Sequence, residues 1–214
     1  MTQNNVLVKK GEAASKKLIE NLKSRKFDAF YASNAKEALE KAMSLIPKGS
    51  VVAWGGSTTL DQIGIKERLY KDGISVIDRD KAATPQERVE LSRKGLLSDI
   101  YLASVNAISE EGILINIDGF GNRVAAITFG PKEVILIVSA NKICKTTEEA
   151  LLRARNHASP LNALRLSTNT PCVQTGFCEN CKSDASICSY IVYTRMCKVP
   201  GRIKIIIVGE DLGY

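Results

Sequence analysis

The fold class follows from the stretch Val51-Val52-Ala53-Trp54-Gly55-Gly56-Ser57-Thr58-Thr59, where an apolar run ends in two glycines and three hydroxyl side chains. An apolar strand that passes through a glycine turn into a helix is typical of α/β proteins with a parallel sheet. Glycines let the backbone approach a ligand, and hydroxyls at a helix start offer hydrogen bonds to an anion. Gly55, Gly56, Ser57 and Thr58 are therefore candidate anion-binding residues; a bare strand-to-helix turn is the alternative.

Three further helices are predicted by capping boxes, in which a side chain at the helix start and a glutamate three residues later satisfy free backbone N–H groups. The boxes pair Asn34 with Glu37, Thr84 with Glu87, and Thr146 with Glu149. A helix that follows Ser57 is expected to end near Asp72-Gly73. Short runs rich in β-branched residues predict strands at Ser50–Trp54, Ser75–Ile77, Ile100–Val105, Ile113–Ile117, Val124–Phe129, Val134–Val138, Tyr190–Thr194 and Ile203–Val208.

Helices alternate with strands up to about residue 105, and strands follow one another after it. This order predicts an α/β fold with a Rossmann-like parallel sheet, flanked by helices, that continues into a more antiparallel segment and so becomes mixed. No linker or internal repeat divides the sequence, so we expect one domain over residues 1–214, with a small cysteine-rich lobe at about residues 170–190.

The composition is that of an ordinary globular protein, with 44% hydrophobic and 25% charged residues. Thirty Lys and Arg against 23 Asp and Glu give a net charge of +7, which could steer a small anionic ligand toward the protein; a solvated helix surface is the alternative. Nucleic acid is not expected as a partner, because aromatic and basic residues are not interleaved. The longest apolar run, Val134–Val138, is too short to span a bilayer, and no signal-peptide pattern is present, so we expect a cytoplasmic protein.

Four of the six cysteines, Cys172, Cys178, Cys181 and Cys188, form the pattern C-x5-C-x2-C-x6-C. Their polar segment cannot bury enough surface to fold alone, and a metal bound by the thiolates would supply the missing cross-link. Cysteines of a cytosolic protein are expected to be reduced, which favours metal binding over disulfides. Four thiolates suit a 4Fe–4S iron–sulfur cluster or tetrahedral zinc, and the spacing leaves both open, along with disulfides or free thiols.

The segment Asn106-Ala107-Ile108-Ser109-Glu110-Glu111-Gly112 follows a predicted strand. Ligands of open α/β sheets gather at the carboxyl ends of strands, so Asn106 and Gly112 are candidate substrate-binding residues. Glu110 is the candidate catalytic residue, since a partly desolvated carboxylate there could act as a base or nucleophile. The alternative is a turn capped by Ser109 and Glu110.

The segment Asn116-Ile117-Asp118-Gly119-Phe120-Gly121-Asn122-Arg123 is typical of a polar, glycine-rich hairpin. Arg123 could clamp a phosphate or carboxylate with paired N–H groups. Asp118 and Asn122 belong to the same candidate substrate-binding set. A surface hairpin with one ion pair is the alternative.

Four motifs together resemble the lactate-utilization (LUD) domain family, and the resemblance covers nearly the whole chain. They are Trp54–Ser57, Asn106–Gly112, Asn116–Gly119 with Gly121–Ala126, and Val208–Tyr214. The resemblance implies a fold like that of the 5-formyltetrahydrofolate cyclo-ligases, sugar-phosphate isomerases and CoA transferases. It also implies a pocket for phosphorylated or acidic ligands near Gly55, Gly56, Ser57, Glu110 and Arg123.

Some members of that family are subunits of an iron–sulfur complex that oxidises lactate to pyruvate, which implies iron–sulfur redox partner proteins. The ferredoxin-type run C-x2-C-x2-C-x3-C-P is absent here, which indicates a stand-alone branch. The expected function is participation in the oxidation of a small hydroxy acid such as lactate. The alternatives are a non-redox isomerase, ligase or CoA transferase with a structural zinc, and a binding module without turnover; a homodimer is compatible with the fold type.

Overall fold

The computed structural model describes the backbone of residues 3–214 and the side chains from residue 9 onward. Within this part of the chain the helices are Gln3–Ser24 (α1), Ala35–Ser44 (α2), Thr58–Gln62 (α3), Ile65–Lys71 (α4), Pro85–Gly95 (α5), Asn122–Thr128 (α6), Thr147–Arg153 (α7), Ser159–Arg165 (α8) and Pro171–Thr175 (α9). The strands are Asp28–Ala32 (β1), Val51–Trp54 (β2), Ser75–Ile77 (β3), Ile100–Ala103 (β4), Ala107–Ser109 (β5), Leu114–Asp118 (β6), Glu133–Ser139 (β7), Ile143–Cys144 (β8), Tyr190–Thr194 (β9) and Ile203–Val208 (β10). A π-helical turn, Ala154–Ala158, joins α7 to α8.

Six strands form a parallel sheet in the order β1-β10-β7-β4-β2-β3. From β2 the chain moves outward to β3, whereas β4, β7 and β10 are added in the opposite direction. The order therefore reverses between β2 and β4, and the carboxyl ends of these strands border a crevice of the kind that binds ligands in open α/β sheets. The predicted α/β class with a Rossmann-like sheet is confirmed.

Apolar side chains cover both faces of this sheet, as the continuous apolar run of β7 requires. One face packs against α1 and α6, where Leu22 and Ile127 are buried. The other face packs against the helices from α2 to α4, where Leu60 and Leu69 are buried. The parallel sheet is thus the middle layer of three, which leaves its strand ends free to build a site.

A second sheet has the order β8-β5-β6-β9 and is mixed, because β6 runs antiparallel to β5 and β9 while β5 and β8 are parallel. Ala107 and Ile115 of this sheet pack against Ala150 and Ala154. The expectation of a more antiparallel segment holds for these strands. It fails for β7 and β10, which return to the parallel sheet.

The predicted strand Val124–Phe129, and with it the predicted hairpin of residues 116–123, is wrong, because residues 122–128 form α6. Asp118 Oδ2 accepts hydrogen bonds from the backbone N–H groups of Arg123 (3.0 Å) and Val124 (3.1 Å). Gly121 supplies the left-handed turn before the helix, at φ +82°. This local cap outweighs the β propensity of the side chains that follow.

The three capping boxes are confirmed, since each cap side chain accepts a hydrogen bond from the backbone of its glutamate. The helix expected after Ser57 is divided into α3 and α4 by Gly64, which adopts φ +71°. Strands β1, β5 and β8 were not predicted, because none of them has a long apolar run. Across residues 3–214, every helix falls short of the length and hydropathy that a bilayer crossing demands.

Candidate functional site

A polar cavity of about 590 Å³ opens at the carboxyl ends of the parallel strands, and we call it the large cavity. Gly56–Thr59 line it after β2, Arg79 and Asp80 after β3, Ser104–Asn106 after β4, and Lys142 after β7. Its volume lies in the range of small-molecule sites. The crevice expected from the strand order is therefore present as a cavity that can hold a small organic ligand.

The large cavity brings together most of the substrate-binding candidates predicted from the sequence. They are Gly56, Ser57, Thr58, Asn106, Asp118, Asn122 and Arg123. Gly55 lies behind this wall, where an added Cβ atom would stand 3.0 Å from Cδ and Cγ of Arg123. Whether these residues bind a ligand stays a prediction.

Glu110 lies outside the wall of the large cavity, in the turn between β5 and β6. Its Oε1 forms ion pairs with Nζ of Lys145 (2.6 Å) and Nζ of Lys17 (3.0 Å). Hydrogen bonds from these two lysines hold the pKa of Glu110 below its ordinary value. Gly112 closes the same turn at φ +86°, packed against Arg25 of the chain after α1. The structure does not join Glu110 and Gly112 to the other candidates.

Both terminal nitrogens of Arg123 donate hydrogen bonds to acceptors inside the protein. Nη1 donates to the Ser104 carbonyl (3.1 Å) and to Oδ1 of Asn116 (2.6 Å). Nη2 donates to Oδ1 of Asn106 (3.1 Å) and to the Ile117 carbonyl (2.6 Å). Burial lowers the pKa of this guanidinium. Arg123 thus ties β4, β6 and α6 together and contributes positive charge to the wall.

Arg79 is a wall residue that the sequence did not reveal as a candidate. Its Nε atom is buried and has no hydrogen-bond partner within the described chain. The nearest carboxylate oxygen, Oδ1 of Asp80, lies 3.9 Å from that nitrogen. A guanidinium with unused donors at a cavity wall suits a carboxylate or phosphate. Its position just after the predicted strand Ser75–Ile77 is the feature of the sequence that could have identified it as a site residue.

Lys142 is the second wall residue that sequence reasoning missed. Its Nζ donates to Oγ1 of Thr59 (3.1 Å), Oγ of Ser104 (3.1 Å) and the Val105 carbonyl (3.3 Å). Burial is the main reason that the pKa of Lys142 falls to about 7, and the charges of Arg153 and Arg123 lower it further. A buried lysine that exchanges a proton near neutral pH is typical of functional sites.

All four predicted metal ligands, Cys172, Cys178, Cys181 and Cys188, line a second cavity of about 70 Å³, the cysteine cavity. Several of these sulfurs have polar contacts: Nη2 of Arg155 donates to Sγ of Cys178 (3.6 Å), Oγ1 of Thr170 lies 3.3 Å from Sγ of Cys172, and the side chain of Ser159 forms a hydrogen bond with Cys188. Burial raises the pKa of Cys188, and the charges of the other three cysteines raise it further. The thiols thus lie within electrostatic range of one another.

Four cysteines that line one cavity offer the donor set of a 4Fe–4S cluster or of a zinc ion. In the described part of the chain, no group of three or more His, Cys, Asp and Glu side chains meets the geometry of a metal-ion site. A cubane takes one thiolate on each of its four iron atoms, so four cysteines match it in number and in chemistry. Which metal these cysteines bind stays a prediction.

The two cavities adjoin, because Ile117, Ser186 and Ile187 line both of them. Ile117 belongs to β6, whereas the other two residues belong to the cysteine-bearing segment. A ligand in the large cavity and a group in the cysteine cavity would therefore be separated by one layer of side chains.

The family model of the LUD domain matches residues 15–208. The chain belongs to the LUD domain family. This family is linked to lactate utilization. Among solved structures, the LUD domain described here is similar to a DUF162 family protein from Deinococcus radiodurans, with a TM-score of 0.53 and 15% identity over 92% of this chain and 98% of that one. That likeness supports the fold alone. No curated protein matches the sequence.

Proposed function

We propose that this LUD domain takes part in the oxidation of a small 2-hydroxy acid such as lactate, with an iron–sulfur cluster held by the four cysteines of the cysteine cavity. The observation that carries the proposal is the wall that the two cavities share at Ile117, Ser186 and Ile187. An acid in the large cavity would lie one side-chain layer from the cluster. That arrangement is suited to electron transfer between them.

The cluster is preferred to zinc because of the cysteine spacing and because the cysteine cavity adjoins the large cavity. Structural zinc sites usually carry two C-x2-C pairs, whereas only Cys178 and Cys181 form such a pair here. Hydrogen bonds to cysteine sulfur, such as those from Arg155 and Thr170, are a means by which proteins set the potential of a cluster. When bound, the cluster would supply one-electron redox chemistry.

The ligand is proposed to be a small anion because of the charge of the large cavity. Six basic residues and four aspartates line it: Lys66, Arg79, Arg88, Arg123, Lys142 and Arg165 against Asp61, Asp80, Asp118 and Asp184. Excess positive charge in a cleft attracts anions. Arg79 would hold the carboxylate, and the hydroxyls of Ser57 and Thr58 would contact the remaining oxygen atoms.

A redox partner protein is part of the proposal. Conversion of a 2-hydroxy acid into a 2-oxo acid releases two electrons and two protons, whereas a cubane carries one electron at a time. An iron–sulfur protein that accepts electrons from this chain would therefore complete the reaction. The binding of such a partner is the step that couples the domain to lactate metabolism.

Electron paramagnetic resonance of the anaerobically purified, dithionite-reduced protein tests whether an acid in the large cavity lies next to the cluster in the cysteine cavity. Addition of L-lactate or pyruvate is expected to change the cluster spectrum of the wild type, because the acid lies next to the cysteine cavity. Arg79→Met should abolish the change, and Arg93→Met, at an exposed arginine of α5, should keep it. A spectrum that stays constant while calorimetry shows the acid bound would contradict the proposed adjacency.

A non-redox enzyme with a structural zinc is the second candidate, and Lys142 favours it. A lysine with a pKa of about 7 in a polar cavity suits proton transfer in isomerase or transferase chemistry. Thermal-shift screening with CoA esters, folates and sugar phosphates separates the two candidates. A hit in that set, together with zinc in the protein, would replace the redox proposal.

A further inference from the structure

Lys142 occupies an unusual position for a lysine, because its side chain is buried at the wall of the large cavity and forms no ion pair with a carboxylate of the described chain. Gly213 covers it so closely that an added Cβ atom would stand 3.1 Å from Nζ. A buried ammonium without a counter-ion is costly, so an anion that enters the cavity would supply the missing charge.

The neighbours of Nζ can satisfy the amine in either protonation state. The Val105 carbonyl only accepts hydrogen bonds, whereas the hydroxyls of Thr59 and Ser104 can donate or accept. An ammonium donates to all three groups, and a neutral amine donates to two and accepts from one rotated hydroxyl. The site can therefore change protonation without a buried group losing its partner.

The charged groups around Lys142 favour loss of its proton while the cavity holds no anion. Arg123 from α6 and Arg153 from α7 act on it with like charge. The aspartates of the same cavity do not pair with it. Asp61 and Asp80 pair with Lys66, Asp118 accepts the backbone N–H groups that begin α6, and neither Asp184 nor the terminal carboxylate of Tyr214 lies within ion-pair distance of Nζ. An anion bound beside Nζ would therefore supply the opposing negative charge.

We propose that Lys142 is an anion-binding residue of the large cavity that takes up one proton as a small carboxylate binds beside it. The choice of carboxylates rests on the proposed function; the proton exchange of Lys142 does not. An anion next to the amine favours its charged form, so binding and protonation are linked. The domain would then bind a carboxylate more tightly as the pH falls from alkaline toward neutral.

Calorimetry with pyruvate and L-lactate measures the linked protons in paired buffers that release protons with different heats, HEPES and Tris at about pH 8 and PIPES and Bis-Tris at about pH 6. Phosphate is avoided because it is itself an anion that could occupy the cavity. The wild type is expected to take up about one proton per bound acid at about pH 8 and far less at about pH 6. The arginine in Lys142→Arg stays charged, so this variant should bind the acid without taking up a proton. Lys142→Met should lose about tenfold or more in affinity at about pH 6, whereas Lys132→Met, at the amino end of β7, should match the wild type.

Competitive labelling with trace acetic anhydride, read by peptide mass spectrometry, titrates Lys142 without any ligand and keeps the test independent of the substrate. A transition near pH 7 with no binding of either acid would overturn the hydroxy-acid assignment and support the proton-exchanging lysine. Titration together with the surface lysines would overturn the lysine proposal whatever binds. Equal binding heats in both buffers at about pH 8 would overturn it as well.

Discussion

The guanidinium of Arg79 closes over the backbone of Gly56, so near that a Cβ atom on this glycine would stand 3.0 Å from Nη2. Its neighbour Gly55 faces the stem of Arg123 at the same distance. Two adjacent glycines thus admit two arginines to the end of β2. Arg79 has a buried Nε without a hydrogen-bond partner in the described chain, whereas Arg123 donates from both terminal nitrogens to internal acceptors.

Alanine at these glycines is expected to separate ligand binding from stability. Gly56→Ala meets the end of a flexible side chain, so it should displace Arg79, weaken pyruvate binding about tenfold and leave the urea midpoint nearly unchanged. Gly55→Ala meets Cδ and Cγ of the buried Arg123 and should cost about 1–3 kcal/mol of unfolding free energy. Calorimetry measures pyruvate binding, and urea unfolding measures stability. Equal destabilisation by the two variants would contradict the prediction that only Gly55→Ala weakens the fold.

Removal of the Arg123 guanidinium is expected to destabilise the fold strongly. Arg123→Met removes the donor of the Ser104 and Ile117 carbonyls and of Oδ1 of Asn116, while Oδ1 of Asn106 keeps the Ile117 N–H. The variant should lower the unfolding free energy by about 3 kcal/mol. Arg93→Met, at an exposed arginine, should stay within about 0.5 kcal/mol of the wild type. The idea fails if urea unfolding shows both variants equally stable.

Glu110 is expected to make stability depend on pH in a defined direction. Lys145 and Lys17 hold its pKa below the ordinary value of 4.5, so the charged carboxylate stabilises the fold above that value. The contribution is lost as the pH falls through the lowered pKa of the folded protein. Glu110→Gln should therefore melt at a lower temperature than the wild type at pH about 7 and at the same temperature at very low pH. The same difference in melting temperature between wild type and Glu110→Gln at both pH values would contradict a stabilising role of these ion pairs.

Arg155 is expected to raise the reduction potential of the proposed cluster. Its N–H group lies 3.6 Å from Sγ of Cys178, and a cationic donor to a ligand sulfur favours the more negative, reduced state. Arg155→Met should lower the potential measured by a redox titration that is followed by electron paramagnetic resonance. Arg93→Met, at an exposed arginine of α5 that lines neither cavity, should leave the potential unchanged. The same reduction potential in the wild type, in Arg155→Met and in the control variant would contradict this role of Arg155.

Local chemistry made much of the fold predictable. The capping boxes at Asn34, Thr84 and Thr146 needed only neighbouring residues, and each begins a helix. Helix α6 was mistaken for a strand because its β-branched residues indicated one, while the deciding cap comes from Asp118 across a glycine turn. Strand β1 depends on pairing with β10, a contact between distant parts of the chain that local patterns do not reveal.

The site was only partly predictable, for a similar reason. The glycine turn after β2 and the four cysteines carry recognisable patterns, and each set lines a cavity. Arg79 and Lys142 are single residues in short 3-10 helices, and each reaches the cavity because of the strand that precedes it. Glu110 lies apart because its strand joins the second sheet, which no residue near the glutamate indicates.

Elemental analysis of the anaerobically purified protein tests the central claim, that the cysteine cavity holds an iron–sulfur cluster. We expect about four iron atoms per chain in the wild type. Cys197→Ala should keep them, because that cysteine is buried elsewhere and contacts the Val199 carbonyl, whereas Cys181→Ala should lose them. About one zinc per chain, or iron that persists in Cys181→Ala, would contradict the account.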